Sequence, residues 1–332
     1  MRIADAAPGR VLGDRFQLTE EMARGGKATN FKAEDLENSH RPVVVKMPLP
    51  MFATGVGGWS LFQQEEALGR ELDHPFVLKF VPLAADKRRP YLVTEYVPGT
   101  LLSEHMRARG PLPEAEALLL ASQICAAVQH VHDRGIVHYD VKPENVILGF
   151  DGTIRLIDFG LAHRAVRSRF TLAHRPPALG SSCYVAPEQI RRLPGRKSVD
   201  IYAIGALLYQ MLTGRVPFPD DDPFIVASAR LLGDPPRPRS LNPSLSPQVE
   251  EIVLRALRRD PAERYASAAA MKRDLDRPDQ VVVSGLAHRL KPATRGRRFW
   301  RRLRYVAVVA GLPIATQVGL FLLLWHLLAS RR

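Results

Sequence analysis

Eight consecutive residues, His138-Tyr139-Asp140-Val141-Lys142-Pro143-Glu144-Asn145, constrain this chain more than any other feature. An aspartate, a lysine two residues later and an asparagine five residues later stand just before the apolar run Val146-Ile147-Leu148. Eighteen residues after Asp140 comes Asp158-Phe159-Gly160, preceded by the strand-like stretch 154–157. Moving a phosphoryl group needs a carboxylate to orient a hydroxyl nucleophile, a cation near the phosphate, and oxygen ligands for Mg²⁺. Asp140, Lys142, Asn145 and Asp158 supply that set. Asp-Phe-Gly alone is a weak signal, whereas the two motifs at this spacing are a specific one.

The flanking sequence divides by character. From Phe16 to about Ala85, short apolar runs such as Val43-Val44-Val45 and Phe76-Val77-Leu78 alternate with turn residues and predict strands. One helix interrupts them: residues 59–72 carry Leu61, Phe62, Glu65, Leu68 and Leu72 near helical spacing. From Glu114 onward helices dominate. Pro113 predicts a helix start, followed by an apolar stripe over 117–131, and residues 201–212 and 248–257 predict two more helices. Residues 234–247, rich in Pro and Ser, predict a loop, and residues 276–294 a linker. The layout is a small β-rich lobe followed by a larger helical lobe.

Motifs and layout together resemble the eukaryotic-type (Hanks-type) protein kinases, in their bacterial serine/threonine branch. The resemblance covers residues 16–277, with a leader at 1–15. It implies an α+β, bilobal protein-kinase fold, N-lobe 16–97 and C-lobe 98–277. It also implies ATP as phosphoryl donor, protein substrates, and Mg²⁺ or Mn²⁺ as the metal. Asp140 is then the catalytic base and Lys142 the loop lysine of Ser/Thr rather than Tyr kinases, with Asn145 and Asp158 as metal ligands. Lys46, at the end of Val43-Val44-Val45-Lys46, matches the lysine that holds the α- and β-phosphates. Its helix partner is Glu65, with Glu66 as the alternative. Thr94 falls at the gatekeeper position, and Glu95 to Val97 offer backbone groups to adenine. Ala186-Pro187-Glu188 closes the activation segment, Glu188 matches an acid that pairs with Arg264, and Asp200 matches the aspartate that braces the catalytic loop. Ser181 lies where a substrate-facing hydroxyl residue sits.

Two departures stand out. The glycine-rich loop reads Ala23-Arg24-Gly25-Gly26-Lys27-Ala28-Thr29-Asn30, so Ala23, Gly25 and Gly26 line the phosphates with only one glycine in register. Asn30 replaces the apolar residue over adenine, and Val44 the usual alanine. Weakened ATP binding is the expectation. Tyr139 replaces the arginine that in the family grips a phosphorylated activation segment, and tyrosine cannot form that charge-assisted pair. Activity is therefore expected not to depend on phosphorylation of Ser168 or Thr171 through that contact.

Charge is unevenly placed. The chain has net charge +13, but residues 289–332 hold ten Lys/Arg and no acid, leaving +3 on residues 1–288. A basic tail on a balanced body argues against nucleic acid, which wants a basic face on the folded domain. Two cysteines exclude a disulfide scaffold and a four-cysteine zinc site.

Residues 305–328, YVAVVAGLPIATQVGLFLLLWHLL, contain no charged side chain. As helix they would span about 36 Å, against a hydrocarbon core of about 30 Å. They predict one C-terminal transmembrane helix, with residues 278–304 as a basic juxtamembrane linker and 329–332 as a tail. Six arginines in residues 295–304, against two at the end, place the body in the cytoplasm by the positive-inside rule. The collar at 289–304 is expected on anionic lipid. Ala307, Gly311, Ala315 and Gly319 line one face of the span. They read either as a homodimer face or as ordinary membrane-helix composition. Arginine outnumbers lysine 38 to 9, which with Asp260-Pro261-Ala262-Glu263-Arg264-Tyr265 suggests a bacterial source and a plasma (inner) membrane. Three readings follow: a membrane-anchored protein Ser/Thr kinase, a weakly catalytic scaffold of the same fold, and a small-molecule phosphotransferase. Ala-Pro-Glu, Asp200 and Arg264 argue against the last.

Overall fold

In the computed structural model, residues 7–26, 28–49, 56–83, 91–164, 183–191, 193 and 196–291 are described. The smaller lobe is an antiparallel sheet in which each strand pairs with its sequence neighbour. Its strands are β1 (Val11–Leu12), β2 (Phe16–Arg24), β3 (Ala28–Asp35), β4 (Arg41–Pro48) and β5 (Leu92–Glu95). Alternation does the sorting. Phe31, Ala33, Val43, Val45 and Met47 point into one core with Phe16 and Leu18. Their neighbours Asn30, Lys32, Val44 and Lys46 take the opposite face. The register sets Asn30 opposite Lys46, and Lys46 opposite Leu92. That second face is the roof of the cleft.

Helix α1 (Val56–Gly69) belongs to both lobes, its Phe62 packing with Ala28 and Leu92 of the sheet. Its Leu68, with Leu72 beyond it, joins the large core of the helical lobe. Residues 76–78 bind the lobes further: Leu78 N donates to Leu156 O at 3.0 Å, and Leu156 N to Phe76 O at 2.9 Å.

Below lie β6 (Gly99–Leu101), α2 (Leu102–Arg109), the long α3 (Glu114–Asp133) and the short strands β7 (Ile136–Val137), β8 (Val146–Gly149), β9 (Ile154–Leu156) and β10 (His163–Arg164). The chain then continues through α4 (Pro187–Ile190), α5 (Ser198–Thr213), α6 (Pro223–Leu232), α7 (Pro238–Leu241), α8 (Pro247–Ala256) and α9 (Ala268–Asp276). Capping residues start several of these. Asp222 and Ser246 each accept from the backbone one turn into the helix, with Pro223 and Pro247 at the first helical position. Helix α5 is buried almost all round. Gly205 lets α8 approach it, since a Cβ there would lie 2.6 Å from that of Ala256. Gly214 ends α5 at φ +70°.

Several boundaries differ from the sequence reading. The leader at 1–15 ends earlier than expected. Val11–Leu12 form β1 against Phe16 and Gln17, and Leu12 is fully buried. A two-residue strand is too short to show alternation. The loop expected at 234–247 contains the single turn α7. Residues 76–78 make one isolated bridge, Val77 to Leu156, rather than a strand ladder. The linker predicted from 278 is docked over its first half: Ser284 N donates to Glu251 at 3.1 Å, and Lys291 N to Asp234 at 2.8 Å. Those contacts run to side chains 33 and 57 residues away, which no local pattern reports. Residues 292–304, the span 305–328 and the tail lie outside the described residues. Among the described residues no helix is long and apolar enough to cross a membrane.

Candidate active site

The roof contributes a cation. Lys46 Nζ lies 2.6 Å from Glu65 Oε1 on α1 and 3.5 Å from Asp158 Oδ1. Burial works against the lysine's charge, but the two carboxylates outweigh it and hold its pKa above the ordinary value. Asp158 shows the mirror image: burial opposes ionisation, and Lys46 with the Gly160 N–H keeps its pKa below the usual carboxylate range. Glu66, the alternative partner, faces away and pairs with Arg70 at 2.6 Å.

The floor contributes the loop between β7 and β8. Lys142 Nζ and Asn145 Nδ2 both donate to Asp140 Oδ2, at 2.8 and 2.9 Å, and Asn145 Nδ2 also reaches the Asp140 carbonyl at 2.8 Å. One carboxylate oxygen is thereby fixed. Asp140 Oδ1 has no partner among the described residues. Two residues here hold positive φ, Tyr139 at 65° and Asp158 at 62°. Such conformations cost about 1–3 kcal/mol each and persist only where surroundings enforce them. For Tyr139 the enforcing group is Asp200 at the start of α5, which is fully buried. It accepts from His138 N at 2.9 Å, Tyr139 N at 2.8 Å and His132 Nε2 at 2.8 Å. Burial opposes its charge, and those donors, led by His132, hold its pKa below the usual range. His138 in turn accepts from Asp140 N at Nδ1, packs edge-on against Phe159 at 5.0 Å and reaches the Ile157 carbonyl through Nε2 at 3.3 Å.

The remaining predicted positions distribute as follows. Ala23 pairs across from Asn30, and Gly25 N closes the β2–β3 turn on Ala28 O at 2.9 Å, with Gly25 and Gly26 exposed. Lys27 lies outside the described residues, as do Ser168, Thr171 and Ser181. Asn30 Oδ1 is buried on the cleft face and lacks a hydrogen-bond partner among the described residues. Thr94 is buried on β5 opposite Val44. Glu95 N donates to Lys79 O at 2.9 Å, and Tyr96 and Val97 lie half-buried where the lobes join. Glu188 and Arg264 form two bonds of 2.7 Å each, both side chains buried. Cys125 lies in the core, where burial pushes its thiol pKa up.

Asn145 and Asp158 bring an amide and a carboxylate oxygen to the same cleft, hard donors of the kind Mg²⁺ takes. Three positioning groups were not visible in the sequence reading. His132 backs Asp200. Gln64 Nε2 on α1 donates to Ala162 O at 2.9 Å. Arg230, on α6, is only 1% exposed. The one local signal for Arg230 was a charge inside an apolar helical run.

A small antiparallel sheet roofing a helical lobe, with Lys46, Asp158 and Asp140 converging between them, defines a nucleotide-dependent phosphotransferase domain. Comparison with known proteins narrows the class. The profile of the protein kinase domain matches residues 16–275, and the chain belongs to that family. It is 36% identical over 267 residues to serine/threonine-protein kinase PrkC of Bacillus subtilis (strain 168), covering 80% of this chain and 41% of that one. It is 33% identical over 272 residues to serine/threonine-protein kinase PknL of Mycobacterium tuberculosis (strain ATCC 25618 / H37Rv), covering 82% and 67%. With the probable serine/threonine-protein kinase PknB of Lactococcus lactis subsp. lactis (strain IL1403) it shares 31% over 267 residues, 80% and 42% of the two chains. The chain thus spans less than half the length of the Bacillus and Lactococcus relatives.

Proposed function

We propose that this protein is a membrane-anchored serine/threonine kinase that transfers the γ-phosphate of ATP to hydroxyl groups of proteins. The observation that carries the reading is the state of Asp140. Lys142 and Asn145 hold one carboxylate oxygen, and the other, without a partner among the described residues, is where a substrate hydroxyl would bind. A carboxylate so fixed orients the attacking oxygen and takes its proton as the bond to phosphorus forms. Lys46, steadied by Glu65, supplies positive charge from the roof for the phosphates that stay with the nucleotide. Lys142 sits beside Asp140 and offsets the charge that develops on the transferred group. Bound by Asn145 and Asp158, Mg²⁺ would neutralise phosphate charge and align the donor. The ring of His138 against Phe159 fixes the approach of the two motifs.

The membrane part of the proposal is supported by the uncharged run at 305–328 and the eight basic residues that precede it. The same basic collar supports contact with anionic headgroups. The test for catalysis is transfer from radiolabelled Mg·ATP to the chain itself and to myelin basic protein, beside Asp140→Asn. Label on wild type and a loss of at least about a thousandfold in the variant are expected. A folded wild type that transfers nothing, with no shift in melting temperature on adding Mg·ATP, would leave a kinase-shaped scaffold.

A further inference from the structure

Helix α6 carries a buried arginine outside the catalytic cleft. Arg230 Nη1 donates to Val185 O at 2.6 Å, and Nη2 to Cys183 O at 2.9 Å. The guanidinium lies 5.8 Å from the centre of the Phe218 ring and 6.0 Å from that of Tyr202 on α5. Tyr202 also faces Arg264, whose guanidinium is 4.9 Å from the same ring. Two buried arginines therefore flank one tyrosine. Arg264 holds Glu188 on one side of Ala186-Pro187, and Arg230 holds the two carbonyls on the other. Position 183 onward is the end of the activation segment that leads into Ala186-Pro187-Glu188.

We infer that Arg230 is a positioning residue for protein-substrate binding. Its planar fork ties the Val185 and Cys183 carbonyls to one rigid group, and so fixes the direction in which residues 183–185 present themselves to a substrate chain. The anchor stands on α6, whose opposite surface is exposed, with Phe224 68% accessible. Any partner that shifts α6 would move the same carbonyls. Asp140, Lys46 and Asp158 lie on other elements, and Arg230 touches none of them. Its loss should therefore weaken the hold on protein substrate and spare the hold on nucleotide.

This inference rests on the kinase reading, and the experiment separates the two. Full-length Arg230→Gln and Arg230→Lys chains are compared with wild type using Mg·ATP and myelin basic protein. Arg230→Gln should raise KM for the protein about tenfold or more, since small misplacements of a binding segment have effects of that order. KM for ATP should stay within about twofold. Lysine reaches a single carbonyl, so Arg230→Lys should fall between. Amide hydrogen exchange of Tyr184, Val185 and Ala186 should quicken in Arg230→Gln while that of residues 140–145 does not. An unchanged protein KM in Arg230→Gln overturns the inference, as does an equal rise in both KM values with quickened exchange at 140–145. Should Arg230→Gln fail to fold, a wild-type protein KM in Arg230→Lys overturns it. A wild type that transfers no phosphate defeats the kinase reading alone, and the exchange comparison then decides whether Arg230 anchors the segment.

Discussion

Two adjacent glutamates, Glu65 and Glu66, show how much one residue of helical phase decides. They differ by about 100° around α1, so one meets Lys46 across the cleft and the other meets Arg70 on the helix's own surface. Glu65→Gln should lower kcat/KM at least about tenfold, because it removes a buried charge-assisted bond from the phosphate-binding lysine. Glu66→Gln should stay within about twofold, since a half-exposed i,i+4 pair contributes little. Steady-state assays of both variants check the assignment. Asn30 supplies a second residue-scale test. Its buried carbonyl oxygen has no described partner and lies opposite Lys46. An unpaired buried acceptor costs about 1–3 kcal/mol. Asn30→Val should raise the melting temperature and tighten Mg·ATP binding by about threefold or more in a calorimetric titration. Unchanged affinity would mean the polar roof is not what limits nucleotide binding.

At the scale of elements, the catalytic loop owes its shape to α5. Asp200 accepts two loop amides and a histidine from a fully buried position, and those bonds hold Tyr139 at positive φ. The sequence motif names the loop's residues, but the conformation that makes them useful is imposed by a helix 60 residues later. Asp200→Asn exchanges an acceptor for an amide that must present hydrogens to hydrogens. It should cost about 3 kcal/mol of stability by denaturant unfolding, the order expected for an uncompensated buried network. Transfer activity should fall with it. A variant with wild-type stability would show that the loop holds itself. The Glu188–Arg264 pair belongs to the same scale. Its partners are 76 residues apart, and their pairing became an expectation only through the resemblance.

At the scale of the whole molecule, the lobes meet through α1, residues 76–78 and a histidine pair. His74 lies after α1 and His130 on α3, with ring centres 4.8 Å apart. Arg134 donates to His130 Nδ1 at 3.0 Å and to Glu71 O at 2.8 Å, and Asp73 and Asp133 stand nearby. Burial first, then the Arg134 charge, lowers the pKa of both histidines below the ordinary 6.5. The folded state therefore binds fewer protons than the unfolded one near that pH, so stability rises with pH there. The contribution is present above the unfolded pKa and is withdrawn as pH falls below it. Chemical unfolding of wild type should show stability declining between about pH 7 and pH 5, and His130→Gln should flatten that decline. An unchanged slope would place the titration elsewhere. Asp158 and Asp200, with lowered pKa values, add little loss in this window, because their stabilisation is withdrawn only as pH falls into the carboxylate range and through their lowered values.

The chemistry was legible in the sequence because it depends on residue type at short range. Asp140, Lys142 and Asn145 fall within six residues, and Asp158 follows across two short strands. Their order along the chain already brings them near one another. The helices at 201–212 and 248–257 were legible for a similar reason, since their apolar spacing repeats from one turn to the next. What tertiary structure alone decided is every relation between distant segments. It selected Glu65 over Glu66, left Asn30 Oδ1 without a partner among the described residues, docked residues 278–291 on the helical lobe and buried Arg230 against two carbonyls. No local pattern encodes these, because each depends on the angle and depth at which separate elements pack. That geometry is fixed by the shared core and not by the composition of either element.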